Sequence, residues 1–112
     1  MYDLLQELND KVKKLNISVK ELRQSGKSYA QAEHDYKVEL AKEALKLTEQ
    51  NMKVGLIELV IKGKPNVAKL RFERDVAKAV YTANLESINS LKLQIRVLEN
   101  QISREWTNTP ND

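Results

Sequence analysis

The side chains best placed to do chemistry are cations gathered in "KGKPNVAKLRFERDVAK", residues 62 to 78. Between positions 62 and 74, Lys62, Lys64, Lys69, Arg71 and Arg74 face one acid, Glu73, so this window carries +4. The whole chain carries +3, which leaves −1 for everything else. Lys62 and Lys64 fall in a turn. Helical spacing puts Arg71, Arg74 and Lys78 on one face, with Lys69 flanking it. Such a cluster neutralises phosphates without reading base sequence. Lys62, Lys64, Lys69, Arg71, Arg74 and Lys78 are therefore the candidate nucleic-acid-binding residues. Phe72 has the ring to stack on a base, but its expected place is the core. Two plainer readings compete: a solvated helix face partly compensated by Glu73 and Asp75, and a surface for a protein partner.

Catalysis finds little support. His34 is the only histidine, in "AEHDY" between Glu33 and Asp35. A general base is conceivable there, but adjacent residues on a helix point in different directions. No cysteine exists, and no serine arrangement completes a nucleophilic site. A surface histidine and a non-enzymatic protein are expected. Metal ligation fares no better: Glu39, Lys42, Glu43 and Lys46 read as surface pairs at i,i+3 and i,i+4. "KGKP" lacks the spacing of a phosphate-binding loop. No metal, cofactor or small-molecule substrate is implied.

These residues need elements to carry them. The 112 residues are 31% charged and 5% aromatic, with 3 Gly and 2 Pro, a composition of long helices. The absence of cysteine fits a reducing cytoplasm. Asp3, Glu7 and Asp10 interrupt the N-terminus before any signal-peptide core can form. Leu56 to Ile61, the most apolar stretch, contains Glu58 and falls far short of the ~20 residues of a membrane span.

Leu5, Leu8, Val12, Leu15, Val19 and Leu22 keep 3-4 spacing and predict a helix over about 3–24. "RQSGKS" (23 to 28) predicts a turn: Gly26 weakens the helix, and Ser28 with Gln31 has capping-box spacing. One kinked helix is the alternative. A second helix over 29–50 carries Tyr29, Ala32, Tyr36, Leu40, Ala44 and Leu47, widened by Ala41 and Leu45. After a loop at "QNMKV", residues 55–62 allow a strand. A lone strand has no partner, so a short helix capped by Gly63 is preferred. The run then suggests a weak helix-turn-helix, whose second helix would be far too long for that motif. Asn66 is a fair N-cap. No Gly or Pro interrupts 66–106, allowing a helix of roughly 60 Å. Residues 107–112 read as a disordered tail.

The expected fold is all-α: an elongated helical bundle or coiled coil, one domain over 1–106, with one long C-terminal helix. One heptad frame covers that helix: Val67, Leu70, Arg74, Ala77, Tyr81, Asn84, Ile88, Leu91, Ile95, Leu98 and Ile102. Its last part outreaches the other elements, which points to a homo-oligomer. A self-contained monomeric bundle is the alternative. The candidate interface is Asn84, Ile88, Leu91, Ile95, Leu98, Ile102 and Trp106. Asn84 at a core position can fix register. Trp106 either covers the bundle end or touches a partner.

Three stretches, "SYAQAEHDYKVELAKEALKL", "KGKPNVAKLRFERDVAKAVY" and "INSLKLQIRVLENQISREW", resemble a family of small proteins encoded by phages and prophages of Gram-positive bacteria. The resemblance covers most of residues 26 to 106 and is most specific in the last stretch. It carries over no catalytic residue and implies a phage product acting in a bacterial cytoplasm. Helix order and charge, without shared motifs, are also similar to the UvsY-type recombination mediators of tailed phages. Those are small, basic, oligomeric helical proteins that help load a recombinase on single-stranded DNA. The implied role is assistance to replication or recombination, through single-stranded DNA or a DNA-bound partner. The alternatives are a module inhibiting a host replication or antiviral defence factor, and a phage assembly scaffold or chaperone.

Overall fold

The computed structural model describes residues 1–108. It is all-α: α1 spans Tyr2–Glu49, α2 spans Val54–Lys62 and α3 spans Pro65–Asn108. No strand occurs among the described residues, and no helix there is long and apolar enough to cross a membrane.

The turn expected at 23 to 28 is absent. A single internal glycine costs a helix only about 1 kcal/mol, and the residues around it are held by packing. Ser25 is buried, and a methyl group added at Gly26 would stand 3.4 Å from the Tyr81 ring. Gly26 thus lies where a tyrosine of α3 approaches α1. The predicted tail shrinks as well, because α3 runs on through Thr107 and Asn108. Its remainder, 109–112, lies outside the described residues.

Contacts divide the chain into two compact units. The first joins residues 1–23, nearly all in α1, to residues 82–108 of α3. The segments run antiparallel: Leu4 and Glu7 share a groove with Val97 and Gln101, whereas Lys14 and Ser18 share one with Ser87 and Ser90. On α3 the predicted frame is the inner face. Ile88, Leu91 and Leu98 are buried, and Asn84, Ile95 and Ile102 half-buried. On α1 the inner face is Leu4, Leu8, Lys11, Leu15, Ser18 and Leu22. Leu5 and Val12, predicted to be inside, are exposed, and Val19 is half-buried. Two frames share Leu8, Leu15 and Leu22; the one with Lys11 and Ser18 in the seam is used. A lysine is tolerable there because its methylene stem can lie on apolar surface while the ammonium reaches out.

The second unit, 24–81, holds the end of α1, all of α2 and the start of α3. Its core is Tyr36, Leu47, Ile61 and Val67, with Leu40, Ala44, Met52, Ile57 and Leu70 packed against it. Ala41 and Leu45 do not widen this face; both are exposed. α1 stops on a paired cap. Asn51 adopts a left-handed φ of 60°, which asparagine tolerates better than most residues. The Asn51 and Met52 N–H groups donate to the Thr48 and Leu47 carbonyls at 3.0 and 3.1 Å, the bonding of a Schellman ending. The accompanying apolar contact is present, since Leu47 and Met52 belong to one cluster.

α2 is a helix rather than a strand because it satisfies its own backbone with nothing beside it. At its end the Gly63 N–H donates to the Val60 carbonyl and the Lys64 N–H to the Ile61 carbonyl, both at 3.2 Å, without a positive φ at Gly63. Only Ile57 and Ile61 turn inward. α3 begins at Pro65, whose missing N–H and fixed φ suit a first helical position. Ala68 N–H donates to the Lys64 carbonyl at 2.8 Å. Lys64 therefore holds the cap position expected for Asn66, which is the second helical residue.

Candidate nucleic-acid interface

The six cations do not act as one surface. The first turn of α3 lies over α1, and α1 presents acids to it. Lys64 Nζ donates to Glu43 Oε2 at 2.7 Å. Asn66 Nδ2 donates to Glu43 Oε1 at 3.0 Å and Glu39 Oε1 at 2.6 Å. Lys46 adds a longer contact to Glu43 at 3.4 Å. Glu43 is only 5% exposed. The Lys64 hydrogen bond first, then Asn66 and Lys46, hold its carboxyl down to about 2 against the desolvation that would raise it. The surface pairing expected of Glu43 is thus a buried clamp. The burial was legible: Glu43 stands seven residues after Tyr36 and four before Leu47, on the core face of α1.

Arg74 is also turned inward. Its guanidinium donates to Asp75 Oδ1 from Nη2 at 2.9 Å and from Nε at 3.1 Å. It also lies 3.7 Å from Glu33 and 4.5 Å from the centroid of the Tyr36 ring. The Asp75 hydrogen bond chiefly, then the charges of Asp75 and Glu33, raise its already high pKa. Arg71 is half-buried, and its Nη1 donates to the Lys62 carbonyl at 3.2 Å, tying α3 to the end of α2.

Lys62, Lys69 and Lys78 remain outward. All three are exposed, and none forms an ion pair among the described residues. Phe72, expected in the core, is 68% exposed. It sits one residue from Arg71 and one helical turn from Lys69. Val76 and Val80 continue its row and are also exposed. The surface that survives is therefore an exposed aromatic ring with Lys69 one helical turn before it and Asp75 one turn after it.

The candidate self-association residues are mostly spent within the chain. Ile88, Leu91 and Leu98 are buried in the first unit, with Asn84, Ile95 and Ile102 partly so. Only Trp106 stands clear, at 75% exposure, and it covers no bundle end. The uncovered apolar surface lies elsewhere. On α2, Val54, Leu56, Leu59 and Val60 are all exposed, Leu59 by 76%. The mixed apolar sequence of this short helix gave no sign of which side would be free.

His34 is exposed, its Nδ1 3.3 Å from Asp35 Oδ1. A hydrogen bond from Gln31 first, then the contact with His34, lowers the Asp35 pKa. No nucleophile stands with them. No cluster of His, Cys, Asp and Glu suited to a metal occurs among the described residues. No family model, curated protein or solved structure matches the chain.

Proposed function

We propose that the chain is a non-enzymatic helical protein that self-associates and contacts single-stranded DNA, or a protein bound to it, as an accessory of replication or recombination. The observation that carries this reading is Phe72, a largely exposed ring one helical turn from the exposed Lys69. A core aromatic would leave only a weak basic patch. An exposed ring with an exposed lysine one turn away has the two parts that non-specific single-strand binding uses, stacking and phosphate neutralisation. The family resemblance supports a phage product working in the cytoplasm of its bacterial host. Self-association is supported by Leu56, Leu59 and Val60, exposed on one side of α2, since apolar surface of that kind marks association sites. The test is fluorescence anisotropy of a labelled thymidine oligonucleotide with wild type and with Lys62, Lys69 and Lys78 changed together to Glu. Binding that weakens with salt and is lost in the variant is expected. A wild type that binds nothing at low salt refutes the DNA reading.

A second reading draws on the α2 face itself: a module that docks on another protein, either a host replication or antiviral defence factor or a phage particle component. A wild type that is monomeric, has no affinity for the oligonucleotide and forms a stoichiometric complex with one such purified protein would select it.

A further inference from the structure

The first unit carries a second concentration of positive charge. Residues 11 to 20, "KVKKLNISVK", contain Lys11, Lys13, Lys14 and Lys20 and no acid. The window around residues 62 to 74 overshadowed this run, because the neighbouring Asp10 and Glu21 dilute it. The fold sorts these lysines. Lys11 and Lys14 line an open groove between α1 and α3, together with Ser18, Ser87, Ser90 and Gln94. Lys13 and Lys20 do not line it. Lys11 is half-buried at a seam position, and neither groove lysine forms an ion pair among the described residues. No carboxylate lines this groove.

We infer that this groove is a seat for the phosphodiester backbone of a single-stranded nucleic acid. Glu7 lines the adjoining groove with Lys11, but a lysine drawn into a helix seam without an ion pair leaves a positive potential that an external anion can satisfy. The other lining groups choose among anions. Three hydroxyls and an amide line the groove with the two lysines, and a phosphate presents several oxygens that accept from such donors at once. The Ser90 hydroxyl accepts a hydrogen bond from Gln94 Nε2 at 3.0 Å, so its own proton is left to donate into the groove. An acidic helix of a partner protein would use the lysines too. It would also need an apolar floor, and only Ile17 and Leu91 supply one here.

This site deepens the nucleic-acid reading and rests on it. The test measures affinity for the labelled thymidine oligonucleotide across a salt series with the full chain. One variant carries Lys11→Gln with Lys14→Gln, which removes two charges from the groove. A control carries Lys13→Gln with Lys20→Gln, the same charge change on the same helix outside it. A third carries Ser87→Asp, which places an acid among the hydroxyls. The groove pair is expected to bind roughly tenfold more weakly, with the slope of log affinity against log salt smaller by about 1.4, for two phosphates at ~0.7 each on a single strand. Ser87→Asp should weaken binding, and the control should stay close to wild type. The glutamine variants are expected to keep wild-type helicity by circular dichroism, since glutamine is a good helix former, and Ser87→Asp should keep it because Ser87 is exposed. Equal losses in the groove pair and the control would overturn the groove as a site. Loss confined to the Lys62, Lys69 and Lys78 variant would overturn it too, while leaving the DNA reading standing. A wild type without affinity for the oligonucleotide, yet able to hold an acidic amphipathic peptide through Lys11 and Lys14, would overturn both.

Discussion

Glu43 shows how one residue's environment redistributes charge that looks uniform along the chain. Its carboxylate draws Lys64 and Asn66 onto α1 and so withdraws one of the six cations from solvent. A glutamate with an ordinary pKa of 4.5 that is held at about 2 in the fold stabilises the fold fully above the ordinary value. That contribution is lost as pH falls from there through about 2. Thermal unfolding followed from neutral pH into acid should therefore show a falling Tm over that window. Glu43→Gln should lower the Tm at neutral pH and flatten the acid-side fall; parallel curves for the two proteins would count against the clamp. Gly26 gives the opposite kind of prediction. The space beside it accepts a methyl group at ordinary contact distance from Tyr81. Gly26→Ala should stabilise the protein by up to about 1 kcal/mol, through helix propensity and lower chain entropy. A lower Tm in that variant would mean the Tyr81 approach is tighter than the structure shows.

At the scale of elements, α2 is a helix held by two residues. Ile57 and Ile61 anchor it, and the rest of its apolar side chains face outward. Ile61→Ala should cost about 2–5 kcal/mol and loosen the second unit. Leu59→Ala should cost the fold of the single chain well under about 1 kcal/mol, because its side chain is exposed within that chain. Urea unfolding of both variants measures the difference, and equal costs would mean that α2 packs by another face. The α3 frame was readable because its inward positions match the heptad pattern from Val67 to Ile102. Capping of α2 by Gly63 was readable for a similar reason: its signal is local. The continuity of α1 was not. Gly26 and the S-x-x-Q spacing are local breaker signals, and what overrules them is Tyr81, more than fifty residues away. The α1 face was half legible, because two frames share Leu8, Leu15 and Leu22 and only packing against α3 decides for Lys11 and Ser18. Among the site residues, the outward set Lys62, Lys69 and Lys78 followed from charge. Lys64 and Arg74 did not, since their partners Glu43 and Glu33 lie on α1. Phe72 was misplaced because an aromatic residue is ordinarily read as core.

At the scale of the whole molecule, the proposed function rests on exposed apolar surface on α2 and exposed cations on both α1 and α3. Light scattering should give a mass above that of a 12.9 kDa monomer. Leu56→Glu with Leu59→Glu should return the mass to the monomer with helicity intact. Leu91→Asp with Ile95→Asp should instead unfold the first unit, because Leu91 is buried and Ile95 half-buried within the chain. A monomeric wild type would remove self-association from the account. The central claim is contact with single-stranded DNA through the exposed Phe72 ring and the outward lysines Lys62, Lys69 and Lys78. It is tested most directly by titrating the labelled thymidine oligonucleotide with wild type and with Phe72→Ala at low and at raised salt. The account predicts binding that falls steeply with salt and a loss of about 1–3 kcal/mol on removing the ring. An anisotropy that does not change with wild type at any salt would contradict it.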